Sequence, residues 1–214
     1  MDTDSRDCID RIALLLEKGN TFLAYKESRR LQALIRAALP RPIVSNDHYA
    51  NPELALRIEN TFPGWRMEVP PLDANSPPTF TPILRFSNPL SVTDDQCLVF
   101  AHDLVGSLGP SMAEMIKHNR RDFLRSSGRS AMMNLTSITE ERFTEVNGRL
   151  AYWGEGFLPA QNQQAAVVAI YNEISDHAIH ILVLVGADHY SLTRSLIETF
   201  LDRMCFEKID LLPG

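Results

Sequence analysis

The chain has 214 residues, 44% of them hydrophobic and 22% charged, with 21 Lys and Arg against 27 Asp and Glu and a formal net charge of −6. That length holds one well-buried core with a small appendage rather than two full domains, and the composition excludes collagen-like, low-complexity and wholly disordered classes. The acidic balance argues against nucleic acid as a partner, because duplex binding calls for a strongly basic surface.

The chain opens MDTDSRDCID, with aspartates where a secretory signal needs a basic start and an apolar run. Apolar residues then recur as Ile9, Ile12, Leu15 and Leu16, a helical stripe that Gly19-Asn20 should stop. A second helix follows, capped by Thr21, with Phe22, Leu31, Leu34, Ile35 and Ala38 on one face and an end before Pro40-Arg41-Pro42. The expectation is an N-terminal helical hairpin within residues 1–48, packed on a main domain of residues 49–214.

Beyond residue 52 the pattern changes to short apolar runs bounded by turn residues, which predicts strands over 54–58, 65–69, 83–86 and 96–101. The stretch 70–82 holds five of the 13 prolines and reads as a surface loop or edge lid, since proline donates no ladder hydrogen bond. Pro110 suits the first turn of a helix through Met112, Met115, Ile116, Asn119 and Phe123, with Ser126-Ser127-Gly128 as its break. Its other face carries Lys117, Arg120, Arg121 and Arg125, which reads as a solvated face.

From Ala131 the pattern is an antiparallel meander. Strands 141–146 and 149–157 flank Asn147-Gly148, a pair that accepts the positive φ of a tight hairpin turn. Strands 163–174 and 178–185 flank Ser175-Asp176-His177, and the second of them is apolar on both faces, so it needs cover on each side. Residues 191–204 repeat Leu192, Leu196, Ile197, Phe200 and Leu201 at helical spacing. The whole reads as an α+β chain: an α/β/α sandwich with an antiparallel sheet, preceded by the helical hairpin.

No phosphate-loop, dinucleotide, nucleophile-elbow or HExxH motif is present, which removes several common enzyme classes. Asp176, His177 and His180 sit close in sequence, yet i and i+3 on a strand face opposite sides, so no metal site is expected there and His180 reads as a satisfied core histidine. His102-Asp103 and Asp188-His189-Tyr190 would serve a hydrolytic or acid–base enzyme only if they met near Ser191 or Cys97. Three cysteines, Cys8, Cys97 and Cys205, lie far apart without CxxC spacing, which points to free thiols in a reducing, cytoplasmic compartment. The longest apolar run, 179–185, is far below the ~20 residues needed to span a bilayer. Trp65 and Trp153 each stand beside a glycine. Aromatics so placed offer large contact area, and Trp65, Phe80, Trp153 and Phe157 are the candidate partner-binding residues.

The run Leu56 to Arg66, LRIENTFPGWR, resembles the first hairpin of the PsbP-like superfamily. Phe143 to Ala151, FTEVNGRLA, is similar to that family's strand, Asn-Gly turn and returning strand, and Ile170 to Phe206 resembles its ending of two long strands, a helix and a short strand closing on Phe. The resemblance spans residues 54–207; the helical hairpin and the proline-rich loop are additions to it. It implies a binding protein without catalytic residues or cofactor, since the superfamily includes a photosystem extrinsic subunit, Ran-release factors and the Eag chaperones of type VI secretion effectors. The reading that follows is a cytoplasmic chaperone or adaptor holding an apolar helix of a partner. A toxin-neutralising immunity protein, an enzyme of unrecognised type using His102, Asp103 and His189, and a homodimer stay open beside it.

Overall fold

A computed structural model describes residues 3–38, 42–70, 82–104, 109–132 and 137–207. The chain divides into two compact units, Met1–Arg41 and Pro42–Gly214. The boundary falls ahead of the expected residue 48 because Ile43–Val44 and His48–Asn51 are already strands of the second unit.

The first unit is the helical hairpin, α1 (Thr3–Glu17) and α2 (Thr21–Ala38). Helix α1 ends in paired bonds, Gly19 N–H to Leu16 and Asn20 N–H to Leu15, which satisfy carbonyls that the helix leaves open. The cap of α2 is Asn20, whose Oδ1 accepts Leu23 N–H, and not Thr21. Of the side chains described in the hairpin, Cys8 and Ala24 are buried, whereas Ile9, Leu16 and Phe22 are exposed; Leu34, Ile35 and Ala38 of the expected face lie outside the described side chains.

The second unit contains two antiparallel sheets. The small one runs β1 (Ile43–Val44), β2 (His48–Asn51), β3 (Leu56–Glu59) and β11 (Cys205–Phe206) in the order β1-β2-β3-β11. The large one has the order β4-β5-β6-β10-β9-β8-β7, built from β4 (Arg66–Glu68), β5 (Leu84–Ser87), β6 (Gln96–Asp103), β7 (Ser137–Val146), β8 (Arg149–Leu158), β9 (Gln163–Asn172) and β10 (His177–Gly186). The hairpin β7–β8 turns at Asn147 (φ 47°) and Gly148 (φ 77°), both left-handed as a two-residue hairpin with the native twist requires.

Strand alternation gives the large sheet two apolar faces. One carries Cys97, Val99, Trp153, Val168, Ile170, Ile179, Ile181 and Val183, and packs with the small sheet and with α5 (Tyr190–Arg203), which contributes Ile197, Phe200 and Leu201. The other carries Tyr152, Ala169, Tyr171 and Ala178 and packs with α3 (Pro110–His118) and α4 (Arg120–Met132) through Ile116 and Leu124.

The middle helix departs from the sequence expectation. It breaks at Asn119, whose backbone N–H bonds back to Met115 and Ile116, and it continues through Ser126-Ser127-Gly128 to Met132. Gly128 is there for close approach: a Cβ on it would stand 2.3 Å from the Tyr152 ring. The proline-rich stretch lies outside the described residues over 71–81.

Candidate partner-binding surface

The face of the large sheet that meets α3 and α4 is unevenly covered. Helix α4 lies over β8 and β9, and Leu124, Gly128 and Met132 are buried there. On β6 and β10 the same face presents Leu98, Phe100, Leu182 and Leu184, all half-buried, although Cys97, Val99, Ile181, Val183 and Val185, which alternate with them toward the opposite face, are fully buried. These four form one apolar strip, because Leu182 pairs with Leu98 and His180 with Phe100 across the two strands.

At one end of the strip lie His102 and His180, ring centroids 4.9 Å apart and edge to face. His180 Nδ1 is buried with no hydrogen-bond partner among the described residues, so this histidine is not the satisfied core residue expected. Burial, with a smaller push from His102, holds its ring neutral down to about 3. His102 is lowered too, first by burial and then by the charge of His177. His177 Nδ1 is 2.6 Å from the Ser175 carbonyl oxygen. Asp176 accepts the Tyr171 hydroxyl at 2.5 Å and faces Lys117 Nζ at 3.3 Å. Among the described residues no group of three or more His, Cys, Asp or Glu side chains is arranged to hold a metal ion.

The residues of the acid–base alternative do not converge. His102 and Asp103 end β6, whereas His189 lies past the other end, its Nδ1 3.9 Å from Asp95. The eight residues of β6 put about 24 Å between the two groups. Cys97 is on the face opposite His102, fully buried, and desolvation pushes its thiol far above the ordinary range.

Nor do the three candidate aromatics among the described residues share a groove. Trp153 is 1% exposed and belongs to the core. Its indole N–H donates to buried Glu155 at 2.7 Å, Arg194 Nε faces that carboxylate at 3.4 Å, and Arg142 lies over the ring at 4.8 Å. Trp65 is half-buried and stacked on Phe62 at 4.7 Å. Phe157 is half-buried near the end of β8, five strands from β4 in the sheet order, or about 24 Å from Trp65. Phe80 lies outside the described residues.

The basic residues of α3 and α4 are largely engaged. Lys117 pairs with Glu114 and Asp176, Arg120 with Glu173, and Arg129 with Glu141, while Arg121 and Arg125 lie over the Phe143 ring. Among the described residues no helix is long and apolar enough to cross a membrane. The apolar strip was not legible in the sequence, because β6 and β10 read there as strands needing cover on both faces.

No known family model matches the chain, and no curated protein matches it in sequence. The solution structure of cyanobacterial PsbP (CyanoP) from Synechocystis sp. PCC 6803 superimposes with a TM-score of 0.50 at 12% identity, covering 77% of this chain and 95% of CyanoP. The Saccharomyces cerevisiae Ran-binding protein Mog1p gives a TM-score of 0.36 at 12% identity, over 71% of this chain and 90% of its own. At such identities the likeness is one of fold: the chain adopts the fold seen in CyanoP.

Proposed function

We propose that the chain is a non-catalytic protein-binding module of the chaperone or adaptor type, acting in the cytoplasm on an apolar segment of another protein. The observation that carries this reading is the half-buried strip Leu98, Phe100, Leu182 and Leu184, on a sheet whose opposite face is fully buried at Cys97, Val99, Ile181 and Val183. Contiguous apolar surface left at the exterior of a folded domain marks an interaction site. An amphipathic helix laid along β6 and β10 would cover the strip with residues at i, i+3 and i+4. The separation of His102 and Asp103 from His189 speaks for binding rather than acid–base chemistry. Trp65 and Phe157 are secondary positions in this proposal, each contacting a different part of a partner.

Site-specific photo-cross-linking in the native host tests it, with the reactive group placed in turn at Phe100, Leu182, Trp65, Phe157 and, as a control on α5, Leu192. The expected result is that Phe100 and Leu182 cross-link to an apolar segment of one protein, while Leu192, 72% exposed, does not. Absence of cross-links from both Phe100 and Leu182 would overturn the reading.

A further inference from the structure

The apolar strip on β6 and β10 holds two imidazoles within its length. His180 stands opposite Phe100 and His102 opposite Ala178, on the same sheet face as Leu98, Leu182 and Leu184. A segment that covers both the Leu182–Leu98 and the His180–Phe100 pair therefore lies over His180, and the ring of His102 is only 4.9 Å further on. His180 is 8% exposed, whereas His102 is half-buried and keeps contact with water in the uncovered chain. The charged groups packed around the pair are engaged with one another. Asp176, at the β9–β10 turn, accepts the Tyr171 hydroxyl and faces Lys117 of α3, which also pairs with Glu114; Arg120 of α4 pairs with Glu173. His177 and Asp103 form a cross-strand pair whose positions alternate to the other face of the sheet.

We propose that acid releases the apolar segment held on this strip, because covering the strip and protonating His102 exclude one another. This rests on the strip being the binding surface. An apolar cover strips water from the ring and supplies nothing that stabilises a charge, so the covered chain holds a proton less tightly than the free chain. Linkage then fixes the sign. Affinity is constant while the ring is neutral in both states, and it falls as pH drops through the free-chain value. That value lies below the ordinary 6.5, lowered first by burial and then by the charge of His177, so release belongs on the acid side of neutrality. His180, neutral down to about 3, takes no part above that pH and leaves His102 as the titrating member of the pair. A single imidazole changes the affinity by at most about thirtyfold between pH 7.5 and 5.0.

The naphthalene dye PRODAN, uncharged over this range, serves as the cover in a titration of the full chain read by its emission at pH 7.5 and 5.0. It should bind saturably at pH 7.5, be lost from Phe100→Asp with Leu182→Asp, and bind the wild-type chain about three- to thirtyfold more weakly at pH 5.0. His102→Phe should bind it equally at both pH values, and His102→Gln repeats the test with a polar side chain that does not titrate. Nitrogen chemical shifts of the imidazoles give a direct reading: saturating dye should move the His102 midpoint to lower pH. Equal wild-type binding at both pH values, an acid loss that persists in both His102 variants, or an unmoved His102 midpoint would overturn the proposal while the strip stands. So would a loss of binding that coincides with a loss of the native circular dichroism. Absence of saturable binding at pH 7.5, or binding that survives Phe100→Asp with Leu182→Asp, would overturn the strip itself and the switch with it.

Discussion

His180 is the residue whose environment differs most from what its neighbours in sequence suggest. It alternates with Ile179 and Ile181 in an apolar strand, yet its ring is buried against His102 with Nδ1 unpartnered among the described residues. A buried imidazole without a partner excludes a proton. Its folded value is about 3, against 6.5 for the unfolded chain. The unfolded state therefore binds the proton first, and stability is lost as pH falls from about 6.5 toward 3. From this group alone the loss between pH 7 and pH 5 is about 2 kcal/mol. Urea unfolding at the two pH values should show it, and His180→Leu should remove most of that increment while leaving stability at pH 7 intact or raised, because an orphaned polar atom has gone. Identical pH dependence in the two proteins would show that His180 is not an acid-sensitive point of the fold.

The contact of α4 with the sheet depends on a position that local rules misread. Ser126-Ser127-Gly128 resembles a helix stop, and glycine within a helix costs about 1 kcal/mol relative to alanine. The helix runs on because Gly128 lets the ring of Tyr152 approach, and the ring's hydroxyl reaches Glu141 at 2.6 Å, the same carboxylate that Arg129 grips in two bonds of 2.6 and 2.5 Å. Gly128→Ala should gain in propensity and lose more through overpacking, a net destabilisation of about 1–2 kcal/mol. Thermal unfolding checks the sign: an unchanged or raised melting temperature would mean that the ring gives way freely. The same contrast explains which elements the sequence disclosed. Asn147-Gly148 was readable because the turn's demand for positive φ is local, and the strands on either side follow from it. The break at Asn119, the strand His48–Asn51 and the half-covered strip on β6 and β10 depend on what packs against them, which no spacing in the sequence records. Trp153 was ambiguous for the same reason: glycine beside tryptophan fits a groove or a core, and only the placement of Glu155 and Arg194 around its ring decides for the core.

At the scale of the molecule, the large sheet closes its risks within the second unit. Its outer strand β7 is ten residues long, but it carries Glu140, Glu141, Arg142 and Glu145 and a register shift between Ile138 and Glu140, features that discourage pairing with another edge. Both apolar cores, from Tyr49 to Phe206 on one face and from Leu104 to Ala178 on the other, lie inside residues 42–214. Burial on this scale is what a domain needs to fold cooperatively without help from outside. A chain shortened to residues 42–214 should therefore unfold in one transition, with Trp153 emission shifted to the blue and shielded from acrylamide while Trp65, half-buried on Phe62, is quenched. Fluorescence and circular dichroism followed through the same urea titration would then give coincident curves. Separate transitions, or two equally quenched tryptophans, would show that the core around Trp153 does not assemble without residues 1–41.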